Sequence, residues 1–172
     1  MKQPTGATMV ANADQSAVIA RNSKTMLWLL LIVYIFNFLD RQIVNILAEP
    51  IKADLNLSDT QLGLLAGPAF AVFYAVLGIP IARYADRPSS NRVRLISLSI
   101  AIWSAMTMVC GLAQNFVQLA LARIGVGVGE AGCTPAAHSL ITDTVKPEKR
   151  ASAIAFYGMG VPIGSLLGLV IG

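Results

Sequence analysis

Residues 117–142 read VQLALARIGVGVGEAGCTPAAHSLIT, an almost unbroken run of apolar and small side chains with an arginine at 123 and a glutamate at 130. About 20 mostly apolar residues suffice for a helix to cross a bilayer, so this stretch reads as a transmembrane helix with charge inside the membrane. Working outward, residues 26–48, 61–82, 93–113 and 151–172 are runs of the same kind, joined by short connections. A composition that is 55% hydrophobic and only 13% charged fits an integral membrane protein and not an ordinary soluble domain. The chain therefore reads as an all-α membrane protein whose residues 26–172 form a bundle of five spans. Residues 1–25 are small and polar, without the apolar core of a signal peptide, and are expected to form a disordered cytoplasmic tail.

Basic residues give the bundle a direction. With the N-terminus placed in the cytoplasm, ten of the 13 fall inside: Lys2, Arg21 and Lys24 in the tail, Arg83, Arg87, Arg92 and Arg94 around the second connection, and Lys146, Lys149 and Arg150 around the fourth. Lys52 falls outside, and Arg41 and Arg123 lie within spans. The positive-inside rule favours this orientation. Basic loops facing anionic lipid account for the net charge of +4 without any nucleic acid.

Local signals mark helix ends and packing faces. Ser58 and Gln61 have capping-box spacing, with Leu57 and Leu62 placed as a hydrophobic staple. Small residues recur every fourth position as Gly63, Gly67, Ala71 and Ala75 in the second span, and as Gly160, Gly164, Gly168 and Gly172 in the fifth. Such rows let helix backbones approach closely, and a smooth face also lets two helices rock against each other. Pro68, Pro135 and Pro162 lie inside spans and mark bends or hinges.

Charge inside a span carries the functional signal. Even low estimates put an Arg or Asp at the bilayer centre at about 2.5 kcal/mol, so such residues face a protein interior or a watery cavity. Arg123 and Glu130 are seven residues apart, on one helix face about 10 Å apart along the axis. In the first span Asn37, Asp40, Arg41 and Asn45 make a second polar stripe. Counting about 1.5 Å per residue from each span's start puts Asp40 level with Arg123, so these two are expected to pair. Glu130, deeper toward the cytoplasm, is left with Arg41 as a weaker partner. Desolvation and a neighbouring cation pull a buried carboxylate's ionisation in opposite directions, which makes Glu130 the candidate for proton exchange. A fixed ion network locking two helices is the structural alternative.

Other chemistry finds little support. Cys110 and Cys133 sit in separate spans without metal-ligand spacing and read as small core residues, and no cofactor motif is present. His138, toward the cytoplasmic end of the fourth span, suits a structural role, although His can also relay protons. Ser139 beside it has no triad partners in a recognisable order, so an enzyme is not expected.

The second connection reads Ala82-Arg83-Tyr84-Ala85-Asp86-Arg87-Pro88-Ser89-Ser90-Asn91-Arg92-Val93-Arg94. It resembles the signature between the second and third helices of the major facilitator superfamily, with Ala82 and Ser89 at the two glycine positions and the basic pair split as Arg92 and Arg94. Arg123-Ile124-Gly125-Val126-Gly127-Val128-Gly129-Glu130 resembles the fourth-helix signature of proton-coupled members. Gly158, Gly160, Pro162, Gly164 and Gly168 resemble a loose fifth-helix signature. Within the superfamily, Asn37-Phe38-Leu39-Asp40-Arg41-Gln42, Leu57-Ser58-Asp59-Thr60-Gln61-Leu62-Gly63 and Gly127-Val128-Gly129-Glu130-Ala131 are most similar to the spinster-type group.

The resemblance implies a twelve-helix fold of two halves, each a 3+3 inverted repeat, of which this chain has the first five helices. It implies secondary active, alternating-access transport in a membrane, here expected to be a bacterial inner membrane. Lysolipids, sphingolipids, sugar phosphates and organic anions are the solute classes, with protons as the coupling ion. Asp40, Arg41, Arg123, Glu130 and Asn37 would serve the solute and the proton, while Asp86, Arg87, Arg92 and Arg94 would form a cytoplasmic latch against the other half. The chain ends within an apolar run, so it is expected to be an N-terminal fragment, inactive without its missing C-terminal half. A small membrane scaffold without transport activity is the alternative from another class.

Overall fold

The computed structural model describes residues 6–87 and 90–171, with side chains from Asn22 onward except at Ala66 and Ala69. Pro88, Ser89 and Gly172 lie outside the described residues, so the Ser89 position of the loop signature and the last glycine of the fifth-span row do too. Among the described residues every element is helical: α1 (Gly6–Ile46), α2 (Ala48–Asp54), α3 (Asp59–Ala66), α4 (Pro68–Ala85), α5 (Arg92–Gly111), α6 (Phe116–Ala131), α7 (Cys133–Thr144), α8 (Pro147–Gly158) and α9 (Gly160–Ile171). They make five spans long and apolar enough to cross a membrane: Asn22–Ile46, Asp59–Ala85, Arg92–Gly111, Phe116–Thr144 and Pro147–Ile171. Each end lies within four residues of the sequence expectation.

One element differs from expectation. Helix α1 starts at Gly6, so residues 6–25 are helical and not a disordered tail. The segment contains five alanines and no proline, and alanine has the highest intrinsic helix propensity, so helix extends from the first span without needing a packing face. Residues 1–5 of the expected tail lie outside the described residues.

The helix breaks follow proline. Leu47, Gly132 and Met159, which interrupt the first, fourth and fifth apolar stretches, each lie three residues before a proline, at Pro50, Pro135 and Pro162. A proline has no N–H for the carbonyl four residues back and its ring crowds that carbonyl, so the helix is interrupted one residue beyond it. In the second span the break is at Gly67, directly before Pro68. Pro80 leaves α4 unbroken.

Packing is inverted relative to a soluble protein. Leu29, Phe36, Val76, Leu121 and Val170 are exposed, while Asn37, Ser99, Arg123 and Glu130 are buried, as expected for a bundle whose outer surface meets lipid. The fourth span is central, with 56% of its apolar window buried against 12–22% for the others. Third and second spans pack on it, and the first packs on the fifth. Close approach on these seams depends on glycine. A Cβ on Gly129 would lie 2.8 Å from the Trp103 Cα, and one on Gly125 2.6 Å from the Met106 side chain, so α6 approaches α5 almost backbone to backbone. The fifth-span row faces the first span in the same way: Gly160 against Tyr34, Gly164 against Ile35 and Phe38, Gly168 against Gln42.

The second-span row behaves differently. A Cβ on Gly63 would meet nothing within 4 Å, and Ala71 and Ala75 are exposed, so this row has no packing partner among the described residues. The second span turns its Phe70 and Tyr74 side toward the fourth instead, with Phe70 in van der Waals reach of Gly127. The capping box forms: Ser58 Oγ accepts from the Gln61 amide at 3.2 Å while Gln61 Oε1 accepts from the Ser58 amide at 2.9 Å. Asn91 and Asn115 cap α5 and α6 one way only, their side chains accepting from the Arg94 and Gln118 amides.

Candidate functional site

The polar stripe of the first span and that of the fourth meet in the middle of the bundle. Arg41 Nε donates to Glu130 Oε2 at 2.8 Å, and Arg41 Nη2 lies 2.7 Å from the same oxygen. The Glu130 side chain is fully buried, whereas that of Arg41 is 27% exposed, so the guanidinium is the accessible end of the pair. Glu130 Oε1 is buried without a hydrogen-bond partner. Asn37, 3% exposed, lies one turn before Arg41 on the same helix.

Aromatic rings enclose the cation. The Arg41 Cζ lies 5.1, 4.8 and 5.0 Å from the ring centroids of Phe38, Phe70 and Tyr74, within cation–π range. Phe70 also lies beneath a second guanidinium, the buried one of Arg123, whose Cζ is 5.3 Å from its centroid. Tyr34 stacks on Tyr157 at 4.3 Å, and His138 meets the Tyr157 ring edge to face at 5.5 Å. His138 is itself exposed, with its ring against Tyr157.

The expected Asp40–Arg123 ion pair is not made. Asp40 Oδ2 accepts from Trp103 Nε1 at 3.1 Å and from Thr107 Oγ1 at 3.3 Å, both on α5. Arg123 Nε is buried without a partner. Axial level was the only quantity that counting along helices supplied, and both residues do line the same cavity of about 360 Å³. Azimuth decides the rest, because consecutive residues point about 100° apart around a helix. That rotation separates Asp40 from Arg41: Asp40 bonds to the third span and Arg41 reaches the fourth.

At the opposite end of the fourth span the loop arginines divide. Arg92 Nη1 pairs with Asp143 Oδ2 at 2.9 Å and Arg92 Nε donates to Ser139 Oγ at 2.8 Å. Ser90 Oγ donates to the Ala85 carbonyl at 2.7 Å, closing the loop onto the end of α4. Asp86, Arg87 and Arg94 are exposed. Arg92 is thus held within this bundle, and among the described residues no ion pair is made by Asp86, Arg87 or Arg94.

Several site residues were not singled out from sequence. Phe38, Phe70 and Tyr74 are indistinguishable from core aromatics until their rings are seen around Arg41. Trp103 carried a usable signal, since a buried indole N–H requires an acceptor, but the sequence does not say which one.

Five apolar spans around an aromatic-walled ion pair define a polytopic α-helical membrane protein with a polar centre. Comparison with known proteins places it further. The chain belongs to the Major Facilitator Superfamily, whose family model matches residues 30–172. It is 38% identical over 170 residues to an MFS-type efflux pump of Mycolicibacterium smegmatis, covering 99% of this chain and 39% of that protein. It is 30% identical over 154 residues to protein spinster homolog 1 of Xenopus tropicalis, covering 88% and 29%. Among solved structures it matches a bacterial homolog to the human lysosomal transporter spinster, in an inward-facing, unoccupied conformation, with a TM-score of 0.81 and 51% identity over 85% of this chain and 30% of that one. The chain therefore spans less than two fifths of the length of these relatives.

Proposed function

We propose that this chain forms the N-terminal part of a spinster-type secondary transporter that carries an anionic or amphipathic small solute by alternating access, coupled to protons. The observation that carries the reading is the asymmetry of the Arg41–Glu130 pair, one partner fully buried and the other partly exposed. An anionic group reaching Arg41 competes with Glu130 for the guanidinium, whose planar fork suits carboxylate and phosphate alike. A carboxylate that loses its cation in an apolar interior is neutralised by a proton. Solute arrival and proton uptake are in this way coupled at one residue pair. Phe38, Phe70 and Tyr74 would take up apolar parts of the solute beside its charge.

Support for the solute class comes from relatives. Similar proteins are named as a probable L-galactonate transporter of Escherichia coli and a probable sphingolipid transporter, spinster homolog 2, of Arabidopsis thaliana. An anionic headgroup or carboxylate is the feature that Arg41 would read in either. Asp40 and Arg123, on one cavity wall and unpaired with each other, would serve the opposite access state. Asp86, Arg87 and Arg94 would latch against the remainder of the transporter on the cytoplasmic side of a bacterial inner membrane.

The test is uptake by the full-length transporter in proteoliposomes, comparing lysolipids with phosphorylated sugars under an imposed pH gradient. Wild type should accumulate one class in response to the gradient, and Glu130→Gln should transport it without that response. Gradient-driven accumulation that survives Glu130→Gln would remove Glu130 from the coupling step.

A further inference from the structure

Away from the buried charge cluster, a groove of about 500 Å³ opens between the start of the first span and the start of the fifth. Lys24, Lys146 and Lys149 line it together with Ser152, Leu27 and Phe156. None of the three lysines is in an ion pair among the described residues. The acidic residues nearby do not neutralise them. Asp143 is held by Arg92 at 2.9 Å, and Glu148 is exposed and does not line the groove.

Position along the spans identifies the occupant. The apolar run of the first span starts at Met26 and that of the fifth at Ala151, so Lys24, Lys146 and Lys149 lie two to five residues before them, at the boundary expected for lipid phosphates. Leu27 lies about 5 Å beyond Lys24 and Phe156 about 10 Å beyond Lys149 along their helices, on the side of the apolar layer. The Phe156 ring meets Trp28 edge to face at 5.0 Å, and Trp28 is 58% exposed on the outer surface, as expected of an interfacial aromatic anchor. A soluble anion would use the ammonium groups and leave the apolar wall unoccupied. A phospholipid uses both.

The geometry points to this groove as a binding site for an anionic phospholipid, with its phosphate among Lys24, Lys146 and Lys149 and an acyl chain along Leu27 and Phe156. Basic pockets between helix ends on the cytoplasmic face are suited to anionic headgroups. The site shares no residue with the Arg41–Glu130 pair and does not depend on the transport reading. Its effect is to tie the first span to the fifth at the ends where the glycine seam between them does not reach.

Native mass spectrometry of the purified chain, released from nanodiscs of phosphatidylglycerol and phosphatidylcholine in equal amounts, tests it. Wild type should retain phosphatidylglycerol preferentially. The triple variant Lys24→Gln, Lys146→Gln, Lys149→Gln should lose that retention by at least about tenfold, and the corresponding triple Arg variant should keep it. The Arg87→Gln, Arg94→Gln variant, which alters exposed basic residues outside the groove, should behave as wild type. Should the triple Gln variant not fold, Lys149→Gln alone should still lower retention. Equal retention of the two lipids, an unaffected triple or single Gln variant, or an equal loss in the Arg87, Arg94 control would overturn the site. Displacement of the lipid by millimolar inorganic phosphate would mark a soluble-anion site instead, and would overturn it too.

Discussion

Glu130 places one oxygen against Arg41 and leaves the other without a hydrogen bond, so the charge balance of the centre rests on a single partner. Removing that partner strands a buried carboxylate. Arg41→Gln is therefore expected to destabilise the chain in detergent by about 3 kcal/mol. The double variant Arg41→Gln, Glu130→Gln should cost clearly less than the sum of the two single changes, measured as a double-mutant cycle on thermal unfolding. Additive losses would mean that the two side chains do not interact. Asp40 belongs to a separate hydrogen-bonded group with Trp103 and Thr107. Thr107→Val keeps the shape and removes one donor, and it should cost about 1 kcal/mol by the same assay. That Asp40, Arg41, Arg123 and Glu130 were special was legible from their occurrence in apolar runs. Of the two pairings expected by counting along the helices, Arg41–Glu130 forms and Asp40–Arg123 does not, because pairing also depends on the rotation of each helix about its axis, and nothing local in the sequence sets that rotation.

The two glycine rows show how identical local patterns diverge at the level of elements. Gly164 sits against the Ile35 backbone carbonyl and the Phe38 side chain, whereas a Cβ on Gly63 would meet nothing within 4 Å among the described residues. Gly164→Ala should cost about 1–3 kcal/mol through overpacking and loosen the first span from the fifth. Gly63→Ala should be neutral or stabilising by up to about 1 kcal/mol, since alanine favours the helix. Thermal unfolding of the two variants side by side reads the difference, and equal losses would remove the distinction between the rows. Spacing every fourth residue made both rows visible in the sequence. It could not show that one has a partner and the other does not. The breaks beside Pro68, Pro135 and Pro162 were expected from sequence, because their cause is a missing N–H in the residue itself, whereas the break before Pro50 and the unbroken helix at Pro80 were not singled out.

Taken as a whole, the molecule is a bundle built round its fourth span, with apolar side chains outward and its charges inward. The distribution of arginine and lysine predicts that both chain-start and second-connection loops are cytoplasmic. With Cys110 and Cys133 replaced by alanine, a cysteine at Asp59 should react with a membrane-impermeant maleimide from the outer face, and one at Lys149 only after the cytoplasmic face is opened. The reverse pattern would invert the orientation. Span number, approximate span ends, the capping box and the presence of intramembrane charge were determined by the sequence alone, since each follows from hydropathy or from contacts within a few residues. The tertiary structure alone decided that Asp40 turns to the third span instead of pairing with Arg123, that Phe70 and Tyr74 join Phe38 around Arg41, and that Arg92 is held by Asp143. Those contacts join residues far apart in the chain, and their geometry exists only once glycine seams have set how closely, and at what rotation, the spans pack.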